Sequence, residues 1–212
     1  MENHMTTIQD VDSPIDLKNP YDAEQWANEA NQIRPWRVDF FNFYVNYIQE
    51  NKAMDCRILE IGSGPGFLAK LILSQCLKVS YTAFDFSNAM HQLAQSKMTC
   101  SELNRAEFII GDFKKDNWNK NLAKYDVIII HQALHELRHK AYAYRFHKTV
   151  HTLLADEAVY FVCDHIIAEN GMSNTELFMN KVEHFQSLSE AGFSNVTLMF
   201  EKNALCLFKA QH

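Results

Sequence analysis

Arg57-Ile-Leu-Glu-Ile-Gly-Ser-Gly-Pro-Gly-Phe-Leu-Ala69 is the stretch of this chain that decides its fold. It contains half of the six glycines in the chain: Gly62, Gly64 and Gly66. The apolar run before the glycines predicts a buried strand over 57–61, and the apolar spacing after them predicts a helix over 66–76. Glycines between a strand and a helix let a ligand approach the backbone closely, so the stretch predicts a ligand-binding turn.

Length and charge limit what the chain can do. With 212 residues, 47% of them hydrophobic, it can bury one sizeable core, and we expect a single domain. Its formal net charge is −6 and it has no long run of Lys or Arg, which excludes a nucleic-acid partner bound through a basic stripe. No apolar run approaches the roughly 20 residues that span a bilayer, so we expect no membrane contact.

The N-terminal residues and the cysteines indicate the cellular compartment of the protein. The first seven residues lack the basic and apolar regions of a signal peptide. No two cysteines form a Cys-x-x-Cys pair, and we expect free thiols in a reducing environment. We therefore expect a cytoplasmic protein, and its oligomeric state, monomer or homodimer, stays open.

Predicted strands and helices alternate from residue 57 onward. The strands are predicted at 57–61, 79–84, 106–110, 125–130, 158–163, 195–200 and 203–208. The helices are predicted at 66–76, 88–99, 138–154 and 181–191. Nearly continuous apolar runs at 125–130 and 158–163 are typical of parallel strands covered on both faces. Only 201–203 joins the last two strands, which is too short for a crossover helix and predicts an antiparallel pair.

These patterns predict an α/β fold with a seven-stranded, mostly parallel, doubly wound sheet and an antiparallel last strand. We expect residues 1–20 to form a flexible arm and residues 21–212 a single domain. Within it, 21–50 is predicted to be an N-terminal helical lid and 51–212 the core. The helices of the lid are predicted at 21–33 and 36–50. Its candidate substrate-facing residues are Tyr21, Trp26, Trp36 and Arg37. The long connection over 166–179 is a second candidate cover.

Polar residues follow each of the first five predicted strands. In an open parallel sheet, ligands bind beyond the carboxyl ends of the strands. The residues at these ends are Glu60, Asp85, Asp112, His131, Asp164 and His165. Asp and Asn are also ordinary turn residues, so an Asp at one strand end is weak evidence, whereas the whole set predicts a site. The alternative role of Asp112 is that of an ordinary turn residue. The alternative role of Asp85 is that of a helix N-cap, for which Ser87 is the better candidate.

The glycine turn does not fit a dinucleotide fingerprint. That fingerprint reads Gly-x-Gly-x-x-Gly, but Phe67 occupies its third glycine position. Pro65 also removes a backbone N–H from the loop that would hold a pyrophosphate. Both residues disfavour an NAD site.

The motifs as a set resemble those of the class I S-adenosylmethionine-dependent methyltransferases, in particular those acting on small molecules. The resemblance rests on Glu-x-Gly-x-Gly-x-Gly from Glu60, an acid at Asp85, Gly-Asp-Phe at 111–113 and Tyr-Asp-Val-Ile-Ile from Tyr125. It covers residues 57–165 by motifs. It implies a Rossmann-like sheet, S-adenosylmethionine as cofactor, and transfer of its methyl group to a small-molecule acceptor by in-line displacement.

The resemblance also implies roles for individual residues. Asp85 would accept hydrogen bonds from the ribose hydroxyls, because a carboxylate has two acceptor oxygens for a diol. Apolar faces suit the adenine ring, whose amino group Asp112 would bind. The implied cofactor-binding residues are Glu60, Gly62, Ser63, Gly64, Gly66, Asp85, Phe86, Met90, Gly111, Asp112, Phe113, His131 and Gln132. Candidate general bases for a hydroxyl acceptor are His135 and His165, with Asp164 orienting one of them. Loop hydrogen bonding is the alternative role for these histidines.

His135-Glu-Leu-Arg-His139 matches the zinc-protease signature His-Glu-x-x-His. That signature needs both histidines on one helix face and a further ligand, whereas here the helix is only beginning. We therefore expect no metal, and a zinc-dependent hydrolase is the less favoured alternative. The second alternative function is a module or partner subunit that binds S-adenosylmethionine without turnover. The acceptor atom, O, N, C or S, is not encoded in these motifs.

Overall fold

The computed structural model describes residues 8–53 and 55–212. The first seven residues of the predicted arm, and Met54, lie outside the described residues. The strands are β1 (Arg57–Ile61), β2 (Ser80–Asp85), β3 (Ala106–Ile110), β4 (Tyr125–His131), β5 (Leu154–His165), β6 (Asn195–Lys202) and β7 (Leu205–Gln211). The helices are α1 (Pro20–Ile33), α2 (Arg37–Asn51), α3 (Phe67–Gln75), α4 (Asn88–Ser96), α5 (Cys100–Leu103), α6 (Ala143–His151) and α7 (Lys181–Glu190).

The seven strands form one sheet in the order β3-β2-β1-β4-β5-β7-β6. The pairs from β3 through β5 are parallel, and β7 runs antiparallel to both β5 and β6. The strand order reverses between β1 and β4, and the carboxyl ends of both strands open at this switch point. The predicted α/β class and the antiparallel last strand are confirmed.

Side chains alternate between the two faces of the sheet, so each face has its own core. In β4, Ile128 and Ile130 pack on the face that carries α6 and α7, whereas Val127 and Ile129 pack on the face that carries α2 and α3. All four are fully buried, which explains why the strand reads as a continuous apolar run.

The N-terminal helices have different surroundings. In α2, Phe40 and Tyr44 are fully buried and belong to the core of one sheet face. Helix α1 instead packs on α4, where Ala23 contacts Ala89 and Met90. Helix α2 is thus part of the core packing, and the cover over the sheet edge consists of α1 and the segment before it.

That segment, residues 8–19, has neither helix nor strand, yet hydrogen bonds from Arg138 and Ser87 hold it to the domain. Arg138 donates hydrogen bonds from Nε to Val11 O at 2.8 Å and from Nη2 to Asp12 O at 2.6 Å. Ser87 Oγ donates to Leu17 O at 2.5 Å. We call residues 11–17 the strap. Contrary to the flexible arm predicted over 1–20, its described part is fastened across the carboxyl edge of the sheet.

The predicted helix over 138–154 is wrong at both ends. Leu134–Leu137 and Lys140–Tyr142 are short 3₁₀ helices, and Arg138 between them has a left-handed backbone with φ 68°. An α-helix cannot continue through a left-handed residue, so α6 begins only at Ala143. At the other end, Leu154 pairs with Tyr125 and already belongs to β5.

No helix in the described part of the chain combines the length and apolarity that a membrane crossing needs.

Candidate functional site

A cavity of about 110 Å³ lies at the carboxyl ends of β1, β2 and β4, beneath the strap and α1. A wider cleft of about 730 Å³ adjoins it. The two share six lining residues: Ile15, Leu17, Trp26, Phe86, Phe113 and Glu136. The strap and α1 therefore form walls of a continuous space at the switch point of the sheet.

The glycine turn supplies the floor of the cavity. Gly62 and Gly64 have left-handed backbones, with φ 70° and 54°. A Cβ on Gly62 would lie 2.4 Å from the Cβ of Ala133, so this glycine allows β1 and β4 to end close together. A Cβ on Gly64 would meet nothing within 4 Å, so open space lies above this residue. Gly64 thus leaves room for a ligand against the backbone.

Asp85, the last residue of β2, is a buried carboxylate that lines the cavity. It accepts hydrogen bonds from the backbone N–H of Gly64 at 2.8 Å and of Ser87 at 2.9 Å. Burial raises its pKa to about 6, although these N–H groups act to lower it. None of the ion pairs among the described residues involves Asp85. Its remaining acceptor capacity suits the hydroxyls of a ligand.

Arg37, in the first turn of α2, brings a cation into the same cavity. The residue is 7% exposed, and its guanidinium lies between 5.3 and 5.8 Å from the rings of Trp26, Phe41 and Phe67. Its Nη1 donates to Asn31 at 3.3 Å, but its buried Nε has no partner among the described residues. Burial and the charge of Arg34 lower its pKa to about 10, so it stays charged and can donate to an anion.

Glu60 lies beside this cation at the end of β1. It accepts a hydrogen bond from Tyr81 Oη at 2.7 Å. Burial raises its pKa to about 8, with the charge of Asp85 adding to the effect and Tyr81 and Arg37 opposing it. At neutral pH Glu60 is therefore mostly protonated, and Arg37 keeps its capacity for an anionic ligand.

A His–carboxylate pair borders the cavity on the side of β4 and β5. His135 donates from Nδ1 to Asp164 at 2.8 Å, and its backbone N–H donates to the same carboxylate at 2.8 Å. Burial acts to lower the pKa of His135, but the charge and hydrogen bond of Asp164 outweigh it and the pKa is raised. The second ring nitrogen, Nε2, lies 3.5 Å from Glu136. His135 and Glu136 both line the cavity.

His165 lies behind this pair. The side-chain amide of Gln132 donates to His165 Nε2 at 2.7 Å. Burial lowers the pKa of His165 to about 4, so the ring is neutral. His165 does not line the cavity but a small pocket between β5 and α7. It is therefore a poorer candidate than His135 for contact with a ligand.

The structure brings together most of the predicted site residues. Those that line the cavity are Trp26, Arg37, Glu60, Gly62, Ser63, Gly64, Asp85, Phe86, Met90, Phe113, His131, Gln132 and His135. Asp112 lines the adjoining cleft and also accepts a hydrogen bond from the backbone of Lys114, as the turn alternative predicts. Ser87, not Asp85, caps α4.

Other predicted residues lie outside the cavity. Gly66 and Gly111 serve packing, because a Cβ would lie 2.5 Å from Ala94 and 2.4 Å from Phe84, respectively. Tyr21 is 73% exposed at the start of α1, and Trp36 is partly buried and packs against the core beside α2, so neither lines the cavity. Asp164 does not line the cavity but bonds His135, which does.

The backbone conformation of residues 135–139 does not fit the zinc-protease signature. The left-handed Arg138 separates the two histidines, so they do not share a helix face. His135 is bound to Asp164, and His139 Nδ1 accepts from the backbone N–H of Ala141. Among residues 8–53 and 55–212, no three His, Cys, Asp or Glu side chains are grouped as a metal site.

Sequence reasoning missed several residues of the site. Ile15 and Leu17 of the strap line the cavity, but their segment carries no pattern that links it to a site. Glu136 also lines it and was visible only as part of the zinc-protease signature. Tyr44 bonds His131 from an aromatic helix face that predicts core packing equally well.

Comparisons with known proteins agree with this geometry. The chain matches the family described as methyltransferase domain over residues 52–204. It is 38% identical over 72 residues to a malonyl-[acyl-carrier protein] O-methyltransferase of Priestia megaterium, a match that covers 34% of this chain and 24% of that protein.

Solved structures share the fold. Human N-acetylserotonin methyltransferase, in complex with S-adenosylmethionine, superposes with a TM-score of 0.68 at 16% identity, over 92% of this chain and 57% of that one. The DhpI complex with S-adenosylhomocysteine superposes with a TM-score of 0.67 at 16% identity, over 92% of this chain and 95% of that one. The chain thus spans little more than half of the human protein and nearly all of DhpI.

Proposed function

Because this chain belongs to the family of methyltransferase domains, we propose that it is an enzyme that transfers a methyl group from S-adenosylmethionine to a small-molecule acceptor. The observation that carries the proposal is the pairing of Asp85 with Gly64. A buried carboxylate without a cationic partner among the described residues lies beside a glycine with open space above it. This arrangement suits a nucleoside whose ribose diol bonds the carboxylate.

The residues of the cavity fit the parts of this cofactor. Asp85 would bind the ribose hydroxyls, and the apolar side chains of Phe86, Met90 and Phe113 would pack against adenine. The unpartnered Nε of Arg37 would bind the amino-acid carboxylate, because Arg37 is the cation that lines the inner cavity. When bound, the cofactor supplies an electrophilic methyl group on a sulfonium.

The chain's own contribution is orientation and a base. Holding an acceptor in line with the methyl group lowers the barrier by roughly 7–11 kcal/mol in well-oriented cases. For an acceptor that must lose a proton, His135 would take it on Nε2 while Asp164 holds Nδ1–H. Because Asp164 raises the pKa of His135, this base is active on the alkaline side of that pKa. The acceptor is a small molecule.

Calorimetry with S-adenosylhomocysteine tests the proposal. The wild-type protein should bind it, and Asp85→Ala should weaken binding by about 30-fold or more, since hydrogen bonds to a charged group contribute about 1.5–3 kcal/mol. Asp39→Asn changes an exposed carboxylate paired with Lys202 and should leave binding unchanged. Failure of the wild type to bind would overturn the proposal.

Turnover needs a second assay. Incubation with methyl-labelled S-adenosylmethionine and a panel of O, N, C and S acceptors should give labelled product with one acceptor class. Binding without transfer to any acceptor would contradict the enzymatic part of the proposal and favour a binding module.

A further inference from the structure

We propose that Tyr44 is a positioning residue that keeps the proton of His131 on Nε2, so that His131 donates a hydrogen bond into the cavity to an oxygen of the bound ligand. The proposal rests on the proposed function, which identifies the cavity as the ligand site. The oxygen belongs either to the amino-acid carboxylate of the cofactor or to the methyl acceptor.

A chain of hydrogen bonds determines the tautomer. Tyr44 Oη lies 3.1 Å from His131 Nδ1, and the thiol of Cys163 is its other polar neighbour. An imidazole nitrogen is a far better acceptor than sulfur, so the phenol donates to Nδ1. Burial raises the pKa values of both Tyr44 and Cys163 well above their usual range, so both groups keep their protons.

The ring of His131 is neutral and carries a single proton. Burial and the charge of Arg37, on α2, hold its pKa well below the usual range. Of the other groups that face it, Asp164 on β5 and the side-chain amide of Gln132 act in the opposite direction, and His165 on β5 adds to the lowering. With Nδ1 occupied as an acceptor, the one proton must be on Nε2.

His131 Nε2 is the free end of this chain. It is fully buried, and it has no hydrogen-bond partner among the described residues. His131 lines the cavity, and its ring is enclosed by Phe40, Phe41 and Tyr44, with centroids 5.0–6.1 Å away. These rings restrict reorientation of the imidazole. A buried N–H without a partner at a cavity wall is completed by an acceptor on the ligand.

Nuclear magnetic resonance of ¹⁵N-histidine-labelled protein reads the tautomer directly. The His131 signals, assigned by their loss in His131→Gln, should show a protonated Nε2 and an unprotonated Nδ1. Tyr44→Phe removes only the hydroxyl and should shift His131 toward a mixture of tautomers. Tyr47→Phe, the same change one helical turn away, should not. A protonated Nδ1 in the wild type, or an unchanged tautomer in a folded Tyr44→Phe, would overturn the proposal.

Ligand binding separates the two sources of the oxygen. If the oxygen is the cofactor carboxylate, Tyr44→Phe should weaken S-adenosylhomocysteine about fivefold, as for loss of about one hydrogen bond, and leave 5′-methylthioadenosine unchanged. If the oxygen belongs to the acceptor, Tyr44→Phe should leave the affinities for S-adenosylhomocysteine and 5′-methylthioadenosine unchanged and should raise the KM for the acceptor. Equal loss for both ligands would contradict the proposal. The tautomer measurement on the wild-type protein stands even if S-adenosylhomocysteine does not bind, so the two proposals fail separately.

Discussion

Two buried carboxylates, Asp85 at the end of β2 and Asp164 near the end of β5, stand on opposite sides of the same sheet edge. Their exposures are nearly equal, at 4% and 3%. Their partners differ. Asp85 accepts from backbone N–H groups, among them those of Gly64 and Ser87. Asp164 accepts from two backbone N–H groups and also from the imidazole of His135.

The pKa values follow the partners. Burial raises the pKa of Asp85 to about 6. Burial acts in the same direction on Asp164, but the charge and hydrogen bond of His135 outweigh it and its pKa is lowered. Equal burial therefore gives opposite shifts. The acceptor capacity of Asp164 is used by the protein itself, and Asp164 orients His135. Asp85 keeps acceptor capacity that a ligand can use.

Removing the charge of Asp164 should have the largest effect on turnover. We expect Asp164→Asn to lower kcat roughly 100-fold, the typical contribution of a general base. The affinity for S-adenosylhomocysteine should stay within about twofold, because Asp164 does not line the cavity. In steady-state kinetics across pH, the rise of kcat with pH should also occur at lower pH, since the pKa of His135 falls. A loss of cofactor affinity equal to the loss of kcat would contradict the division of roles.

The pH dependence of binding tests the other carboxylate. The free protein holds Asp85 with a pKa of about 6, and the ligand requires the ionised form. Calorimetric affinity for S-adenosylhomocysteine should therefore fall about tenfold per pH unit below 6 and level off above it. Asp85→Asn should bind weakly and without this slope. A slope that persists in the variant would assign the titration to another group.

The strap joins the two regions, because it is bonded by Ser87, two residues after Asp85, and by Arg138, three residues after His135. Arg138→Ala removes two hydrogen bonds to the strap, and we expect proteolytic cleavage within residues 8–19 to become about tenfold faster. Alanine at φ 68° is strained like arginine, so backbone strain does not explain the difference. Arg145→Ala, at an exposed ion pair, is the matched control and should leave cleavage unchanged.

Gly64→Ala should have the smallest effect. The added methyl group enters the space above the turn, and we expect about fivefold weaker binding of S-adenosylhomocysteine together with roughly 1 kcal/mol of lost stability from the left-handed backbone. Gly192→Ala, also at positive φ but beside His151, should lose stability without losing affinity. Thermal unfolding and calorimetry on both variants separate the two effects.

The sequence predicted the Asp85 region better than the Asp164 region. Glycines and acids at strand ends are local signals, because parallel strands end at one edge whatever the helices do. The orientation of His135 depends on the left-handed Arg138, which the helical pattern over 138–154 concealed. The contact between Tyr44 and His131 joins residues 87 positions apart. Such contacts arise from the packing of α2 on the sheet, so no spacing in the sequence encodes them.

The same holds for the strap. The strap and the residues that flank it, 8–19, are mostly polar and contain Pro14, a composition that predicts a loose segment. Their attachment depends on side chains of Ser87 and Arg138, which lie 70 and 127 residues away from the residues that they bond.

The position of β7 has a consequence for how this sheet assembles. β7 follows β6 in sequence but lies between β6 and β5, so β6 reaches the rest of the sheet only through β7. The two strands are joined by a short turn and form a local hairpin, which can form before it docks. Until docking, β5 presents a bare edge that includes Phe161 and Cys163, both fully buried in the finished sheet. An unpaired apolar edge of this kind pairs readily with other chains, so the hairpin protects the protein from aggregation during folding.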